Sequence, residues 1–320
     1  MSTCTPSTQT VIDYDRGGYD YRDFWKRRQY EDWAESRVLT RVMENFGYPQ
    51  WFADFGGGFG RNAAHYRHRA NHSVIVDYSA NNLTRAGELH APDVAAGRVH
   101  LVRGTVSALP FVDRAFDAAM VVRVLHHLTD AEQALTEMGR TIQENWLVDV
   151  PIKHHALGRL RSLMCFRVRE MRSPEPLVRG TSEHPFRAYR LPAIRRRLDD
   201  SDWDSDLVAS VNNFRRWDQV LPKPIVATLR PFVQVMEIVA QRAGKGWWGP
   251  SQFLVATRKC VTLPRLMPTP RGVPPSVAEL ARRMVCPSCR GGLAWTSDQA
   301  HCPACRRTYR RQRAFWDFVP

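Results

Sequence analysis

The chain has 320 residues, of which 43% are hydrophobic and 24% charged, so it has the composition of a folded protein of about two domains and not of a disordered or fibrous one. Its 46 lysines and arginines exceed its 32 acidic residues and give a net charge of +14, which favours polyanions or anionic membrane surfaces as partners. No apolar run reaches the roughly 18 residues that span a bilayer, and the start MSTCTPSTQT lacks the features of a secretory signal, so we expect a cytoplasmic location.

The first half of the chain predicts a helical segment followed by strands that alternate with helices. Residues 1–18 are expected to be disordered, and apolar and aromatic residues spaced by three and four then predict one or two helices in a cap over residues 19–50. Short apolar runs follow, separated by helix-length segments, at 51–55, 73–76, 99–102, 116–122 and 146–150. This alternation is typical of βαβ units with a parallel sheet covered on both faces.

The second half adds an insertion, two strands and a linker. An arginine-rich stretch over about 151–200 predicts a helical insertion, either a lid over a site or a solvated helix pair. Strands over 207–211 and 253–257 flank a helix over 225–241 and bring the strand count to seven. A proline-rich linker is predicted over 261–280. Thr129 with Glu132, and Ser276 with Glu279, predict capping boxes at two helix starts.

A glycine-rich turn follows the first predicted strand. Its Asp-x-Gly-x-Gly-x-Gly pattern is made by Asp54, Gly56, Gly58 and Gly60. Glycines let the backbone approach a ligand and turn free N–H groups toward it. Arg61 replaces the third glycine of the dinucleotide fingerprint. Asp77 ends the next strand, where a carboxylate can accept hydrogen bonds from both ribose hydroxyls. The pattern therefore predicts a nucleoside cofactor without a pyrophosphate.

Three segments in order carry a family resemblance: DFGGGFG, VDYS and LPFVDRAFDAAMVVRVLHHL, the last over residues 109–128. Together they resemble the class I S-adenosylmethionine-dependent methyltransferases, in particular their type 11 group, over about residues 19–259. The resemblance implies a Rossmann-like α/β fold with a doubly wound, mostly parallel seven-stranded sheet, a methyltransferase domain over 19–260, and S-adenosylmethionine as the cofactor.

The resemblance also implies roles for single residues. Asp54 and the three glycines would cradle the methionine moiety, Asp77 would hold the ribose, and Tyr78 would pack on the adenine. The family often has Gly-Asp at the end of the third strand, whereas this chain has Gly104-Thr105, so the Thr105 hydroxyl or the Val106 N–H would contact the adenine instead. Arg123 would lie near the amino-acid part of the cofactor and suit its carboxylate.

Methyl transfer from a sulfonium depends mostly on alignment, and a base is needed only where the acceptor must lose a proton. His126 and His127 follow the fourth strand and are the candidate catalytic residues, while His154 and His155 follow the fifth. Each pair is interpreted either as a base or substrate contact or as hydrogen-bonded structural histidines. Cys165, in an arginine-rich helix, is interpreted as a packing residue and not as a nucleophile.

Four of the seven cysteines form a metal-ligand pattern, C-x2-C-x12-C-x2-C, made by Cys286, Cys289, Cys302 and Cys305. Two such knuckles can close a tetrahedral thiolate site, so we expect structural zinc in a small ribbon over residues 281–320. Cys4, Cys165 and Cys260 are scattered along the chain.

This C-terminal ribbon resembles the small zinc-binding activator subunit of tRNA and release-factor methyltransferases, and also the zinc ribbon of some ribosomal-RNA guanine methyltransferases. Eight arginines face only Asp298 and Asp317 between residues 281 and 320. They either contact phosphates or simply face water. In the second case the ribbon docks on the larger domain through Phe315, Trp316, Phe318 and Val319. A third alternative is that the ribbon binds a partner protein.

The sequence therefore predicts a methyltransferase acting on a small organic or lipid-like acceptor, with the O, N or C atom undetermined. The alternative is an RNA methyltransferase, of rRNA or tRNA, that uses the basic ribbon as a substrate arm. A third interpretation is a non-catalytic scaffold that keeps the cofactor pocket, against which the complete glycine pattern and Asp77 argue.

Overall fold

The computed structural model describes residue 15 and residues 21–26, 28–166, 168–181, 185–269 and 275–319. Apart from residue 15, the segment predicted to be disordered lies outside these ranges, as does Cys4. Within the described ranges, no helix combines the length and the apolar character needed to cross a membrane.

Twelve α-helices occur in the described part of the chain, and the predicted helical cap contains the first two of them. Their bounds are α1 Tyr21–Lys26, α2 Gln29–Asn45, α3 Ala63–Tyr66, α4 Ala80–Leu89, α5 Ala91–Ala95, α6 Ala131–Arg140, α7 Ala156–Met164, α8 Val168–Arg172, α9 Leu191–Asp199, α10 Trp217–Val220, α11 Lys223–Ala243 and α12 Pro275–Ala281. A short 3₁₀ helix, Leu125–His127, is here called the histidine turn.

Both predicted capping boxes are wrong in their position. The cap of α6 is Asp130, one residue after Thr129, and its side chain accepts a hydrogen bond from the Gln133 backbone N–H at 2.8 Å. Asp is as good an N-cap as Ser or Thr, so the aspartate next to Thr129 can take the cap position. Helix α12 already begins at Pro275, which places Ser276 inside the helix.

Nine strands lie within the part of the predicted methyltransferase domain that the structure describes. Their bounds are β1 Trp51–Phe55, β2 His72–Asp77, β3 Val99–Arg103, β4 Phe116–Val121, β5 Ile142–Pro151, β6 Leu177–Gly180, β7 Pro185–Ala188, β8 Trp203–Val211 and β9 Ser251–Arg258. All but β6 and β7 form one sheet in the order β3-β2-β1-β4-β5-β9-β8. Strand β9 runs in the direction opposite to the other six. The seven predicted strands all occur, each within a few residues of its predicted bounds.

The order of the strands positions the site. Strand β1 pairs with β2 on one side and with β4 on the other, both in parallel, so the chain reverses its direction of winding at β1. All five residues of β1 are buried because helices cover both faces of the sheet. In such sheets ligands bind in the crevice beyond the carboxyl ends of the strands at the reversal point. Here that crevice begins directly after Phe55.

The sequence predicted a helical insertion over residues 151–200, and this prediction is only partly right. Strands β6 and β7 form an antiparallel hairpin between α8 and α9. Two sets of side-chain contacts hold the insertion in place. The Tyr189 hydroxyl donates to the Leu125 carbonyl oxygen at 2.9 Å, on the histidine turn. The Lys153 ammonium group donates to three backbone carbonyl oxygens near the end of α8, those of Glu170, Ser173 and Glu175. The insertion is therefore held against the histidine turn.

The C-terminal ribbon continues the central sheet, which corrects the expectation of a separate module beside a seven-stranded sheet. Its strands are β10 Ala294–Trp295, β11 Gln299–His301, β12 Thr308–Gln312 and β13 Phe315–Asp317. Strand β13 pairs in parallel with β3, Trp316 opposite Val102, and the sheet reaches eleven strands. Of the four predicted docking residues, Phe315, Trp316 and Phe318 are buried and Val319 is half-buried. Pairing at this edge covers backbone groups that β3 would otherwise expose.

Candidate functional site

The glycine loop, residues 56–60, adopts a backbone that requires glycine at the positions predicted from the pattern. Gly56, Gly58 and Gly60 have φ angles of 69°, 59° and 78°. L-residues with side chains rarely adopt this left-handed region. A Cβ atom at Gly56 would also lie 2.2 Å from the Val124 side chain. The loop thus passes close to the end of β4, at the reversal point of the sheet.

Two supports of the loop were missed by the sequence interpretation. A Cβ atom at Gly57 would lie 2.8 Å from the Asp54 carboxyl carbon, so the middle glycine is needed for packing although it falls outside the alternating pattern. The run of three glycines was the available signal. His90, after α4, lies with its Nε2 atom 3.2 Å from the Gly60 carbonyl oxygen. No local sequence signal marks His90 for this contact.

Asp77 lies beside the glycine loop, as its predicted role requires. Its carboxylate accepts hydrogen bonds from the backbone N–H of Gly58 at 2.8 Å and of Ser79 at 2.9 Å. Asp77 also has a side-chain hydrogen bond with Asn82, and a carboxylate has about four lone-pair positions, so acceptor capacity remains for a ribose hydroxyl. The helix after the loop, α3, has only four residues, so the expected helix N-terminus contributes little and the ligand-facing N–H groups belong to the loop itself.

The predicted adenine contacts lie at the ends of β2 and β3. The Arg103 guanidinium lies 5.5 Å from the centre of the Tyr78 ring and donates to the Tyr78 carbonyl oxygen at 2.9 Å. Asp317 of the ribbon forms an ion pair with Arg103 at 3.1 Å. Thr105 bridges to Ala108 in a tight turn. The ribbon is therefore linked to Tyr78 through one intermediate side chain.

Asp54 lies below the glycine loop and is 1% exposed. Its carboxylate accepts a hydrogen bond from the Tyr66 hydroxyl at 3.0 Å. Burial raises the pKa of Asp54 to about 7, although this hydrogen bond and Arg61 lower it. Tyr66 was not singled out from the sequence. Asp54 is thus placed to support the loop from beneath.

The raised pKa of Asp54 predicts a pH-dependent stability. The folded state holds a proton that the unfolded state has lost, so this contribution is present below about pH 4 and is lost as pH rises through about 7. In Asp54→Asn nothing titrates there. We expect the melting temperature of Asp54→Asn relative to wild type to increase from pH 5 to pH 8 in calorimetric scans. Asp204→Asn, at an exposed aspartate, should show a constant difference.

Arg123 has partners within the protein, which differs from the predicted contact with the cofactor carboxylate. Its guanidinium binds Glu35 and, at 3.0 Å, Glu31, both buried on α2. Arg61 shares Glu35 at 2.8 Å. Burial alone would raise the pKa of Glu35, but Arg123 and Arg61 hold that pKa below its usual range. These acids, interspersed in the apolar pattern of α2, join the helical cap to the glycine loop and to the end of β4.

Removing the shared carboxylate should be strongly destabilising. In Glu35→Gln two arginines lose their common counter-charge in a buried position, for which the expected cost in unfolding free energy is about 3 kcal/mol. Urea unfolding measures this cost. Glu44→Gln on the same helix removes an exposed pair 3.7 Å apart and should cost less than about 1 kcal/mol. Equal effects of the two substitutions would contradict the importance of the cluster.

The candidate catalytic histidines lie under the insertion. The rings of His126 and His127 are 3.8 Å apart, and His126 lies 4.7 Å from Phe186 of the hairpin. Burial, His127, Arg123 and Arg215 lower the pKa of His126 well below its usual value, so its ring is neutral at pH 7. A neutral imidazole can accept a proton or a hydrogen bond.

The second histidine pair is placed differently. His155 is the N-cap of α7, where its Nδ1 atom accepts from the Gly158 N–H at 3.4 Å, which supports the structural interpretation for this residue. Burial and neighbouring arginines, Arg215 among them, lower the pKa of His155 to about 4. The pKa of His154 is likewise about 4. Cys165 is exposed at the end of α7, so its interpretation as a packing residue is wrong.

The four predicted zinc ligands converge. The Sγ atoms of Cys286, Cys289, Cys302 and Cys305 all lie within 4.8 Å of one another. Zinc–sulfur bonds of about 2.3 Å place the corners of a regular tetrahedron about 3.8 Å apart, so the spacing fits a zinc ion. The Tyr309 hydroxyl lies 3.2 Å from the Cys286 sulfur.

Comparison with known proteins agrees with this geometry. Residues 53–145 match a family described as a methyltransferase domain. These residues belong to a methyltransferase domain. The glycine loop and Asp77 of this domain fit S-adenosylmethionine. The loop has no room for side chains, so a ligand can approach its backbone closely, and an acceptor carboxylate lies beside it.

The curated relatives of the chain have different methyltransferase names. An O-methyltransferase, resE, of Aspergillus sclerotiorum is 28% identical over 56% of this chain and 72% of its own length. A demethylmenaquinone methyltransferase of Renibacterium salmoninarum is 26% identical over 49% of this chain and 64% of its own length. A malonyl-[acyl-carrier protein] O-methyltransferase of Erwinia billingiae is 34% identical over 34% of this chain and 37% of its own length. The chain thus spans less than two thirds of two of these three relatives.

Proposed function

We propose that the protein transfers the methyl group of S-adenosylmethionine to a small organic or lipid-like acceptor. The observation that carries the proposal is the glycine loop at the reversal point of the sheet, with the Asp77 carboxylate hydrogen-bonded to it. The names of the three relatives, an O-methyltransferase, a demethylmenaquinone methyltransferase and a malonyl-[acyl-carrier protein] O-methyltransferase, support an acceptor of this kind.

We assign the cofactor contacts residue by residue. The backbone of the glycine loop would hold the methionine moiety, Asp77 the ribose, and Tyr78 the adenine face. The Thr105 hydroxyl or the Val106 N–H would contact the adenine edge. Asp54 and Arg123 belong to the same site, but their side chains act on the protein, since they bind Tyr66 and the acids of α2, respectively.

S-adenosylmethionine supplies the reactive methyl group and a neutral leaving group, so the protein mainly aligns the acceptor and excludes water. The insertion, anchored to the histidine turn by Tyr189, is placed to cover this region. The candidate base is His126, which is neutral and lies between His127 and Phe186. His127 is the alternative. Either ring would accept a hydrogen bond from an acceptor hydroxyl or amine, while the lowered pKa of His126 makes it a weak base.

For the ribbon we propose a structural zinc ion bound by the four cysteines. The knuckle residue Arg290 donates to the Leu109 carbonyl oxygen at 2.7 Å and pairs with Glu137 of α6 at 2.5 Å. A folded ribbon would therefore hold the loop after β3, which carries Thr105, as well as Arg103 beside Tyr78. This role agrees with the resemblance to a methyltransferase activator subunit, here joined to the same chain.

RNA stays the second candidate acceptor because of one observation on the ribbon. Four of its arginines are exposed and have no ion pair or hydrogen bond through their side chains among the described residues: Arg306, Arg310, Arg311 and Arg313. The other four are engaged within the protein, Arg290 with Glu137 for example. The four exposed arginines form a basic patch that phosphates could contact.

Turnover in fractionated cell extract tests the proposal. The protein, S-adenosylmethionine and extract are incubated with and without prior nuclease treatment, and release of S-adenosylhomocysteine is followed. We expect nuclease to leave the rate unchanged and the organic-solvent extract alone to support turnover. Loss of turnover after nuclease treatment would establish RNA as the acceptor. Absence of turnover in every fraction would favour the non-catalytic scaffold.

A further inference from the structure

Helix α11 buries two polar side chains and exposes an apolar stripe. The buried Glu237 accepts a hydrogen bond from the Tyr30 hydroxyl, and the buried Gln241 donates to the Ala34 carbonyl oxygen. The opposite face is an exposed apolar stripe with spacings of four and three, formed by Ile225, Leu229, Phe232, Met236 and Val239. A helix in water normally shows the reverse arrangement. The stripe therefore calls for a partner.

Helix α7 presents a second exposed apolar face. Leu157, Leu160, Leu163 and Met164 are 55–72% exposed, and Phe166 directly after the helix is 95% exposed. At 3.6 residues per turn, Arg159 and Arg161 lie on either side of this apolar face. An apolar face flanked by cations is the arrangement of helices that lie in the membrane interface, where the cations reach the headgroups.

The start of α7 lies next to the segment that follows α11. The Ala156 N–H at the start of α7 donates to the carbonyl oxygen of Trp248, in the segment that follows α11, and Trp247 beside it is 42% exposed. Eleven of the twenty large apolar side chains exposed in the described part of the chain lie on α7, on α11 or at Trp247. This concentration exceeds the scattered apolar exposure of an ordinary protein surface. We call α7, α11 and Trp247 the lid surface.

Charge favours an anionic occupant. Residues 156–181 contain six arginines and two acids, and residues 223–245 contain four basic residues and one acid, the buried Glu237. A second copy of the chain would bring cation-rich faces of two molecules with a charge of +14 together. An anionic bilayer would instead neutralise the arginines while covering the apolar side chains.

We propose that the lid surface binds the surface of bilayers that contain anionic phospholipids. Helices α7 and α11 lie in the headgroup region with their apolar side chains inserted, and the arginines of α7 contact lipid phosphates. The insertion that anchors on the histidine turn then faces the bilayer. Docking does not depend on the proposed methyl transfer and is measured without cofactor or acceptor.

Co-sedimentation of the purified full-length chain with vesicles tests this proposal. We expect binding to vesicles of phosphatidylcholine and phosphatidylglycerol in a 3:1 ratio, and at least tenfold weaker binding to phosphatidylcholine alone. The double variant Leu160→Ser, Leu163→Ser and the single variant Phe232→Ser should each weaken binding about tenfold or more. Each removes apolar area that the bilayer would bury. These side chains are already exposed in the free protein, so folding should be unaffected.

The matched control is Leu89→Ser, which removes a leucine that is 57% exposed at the end of α4, outside the lid surface. It should bind vesicles as wild type does. Failure of the wild-type protein to bind the anionic vesicles would overturn the proposal. So would sedimentation equilibrium showing a dimer without lipid that Phe232→Ser converts to a monomer, since a second copy would then occupy α11.

Discussion

Asp77→Ala should lower the affinity for S-adenosylhomocysteine at least ~100-fold, measured by calorimetric titration. The substitution removes the carboxylate assigned to the ribose, and each hydrogen bond to a charged group contributes about 1.5–3 kcal/mol. It also leaves the Gly58 and Ser79 N–H groups without their present acceptor, so the glycine loop loses a support. Both effects act in the same direction.

Two further variants separate binding from folding. Asp77→Asn retains one acceptor oxygen for the loop and should keep the wild-type melting temperature more closely, while still binding the cofactor poorly. Asp113→Ala removes an exposed aspartate that pairs with Arg140 and should leave affinity unchanged. Unchanged affinity in a folded Asp77→Ala protein would contradict the assignment of the ribose site.

Loss of zinc from the ribbon should lower the melting temperature by roughly 10 °C or more, which corresponds to several kcal/mol for a chain of this size. Cys302 is fully buried within the cysteine cluster. We expect Cys302→Ser to contain no zinc and the wild-type protein about one ion per chain by elemental analysis. The exposed edge of β3 should also promote aggregation, because β13 would no longer cover it.

Cys260→Ser is the matched control, since Cys260 is exposed and lies outside the cluster. It should keep both its zinc content and its stability. Wild-type protein that is purified without chelator and contains no zinc would contradict the proposed metal site. The Cys302→Ser protein should also bind S-adenosylhomocysteine more weakly, because Asp317 and Arg290 would no longer hold Arg103 and the Leu109 loop.

Features that depend on neighbouring residues in the sequence could be predicted from it. The seven strands of the central sheet follow from buried apolar runs between helices. The glycines with positive φ angles follow from their spacing after β1. The cysteine cluster follows from two Cys-x2-Cys motifs, whose four sulfur atoms can surround one metal ion. In each case neighbouring residues carry the information.

Contacts between distant segments were not readable. Nothing near Arg123 in the sequence indicates that it binds Glu31 and Glu35, about 90 positions earlier. The parallel pairing of β13 with β3 joins residues more than 200 positions apart, so the ribbon looked like a separate module. The hairpin of the insertion was missed because its strands of four residues show no apolar alternation. Such features depend on which surfaces meet after folding.

Recovery of a radioactive methyl group tests the central claim most directly. The protein is incubated with methyl-tritiated S-adenosylmethionine and extract of its source cells, and the label is divided between a solvent-extractable and a nuclease-sensitive fraction. A small organic or lipid-like acceptor predicts label in the solvent-extractable fraction with wild-type protein, and only background label there with Asp77→Ala. Label confined to the nuclease-sensitive polymer would contradict that account and make the basic ribbon a substrate arm for RNA.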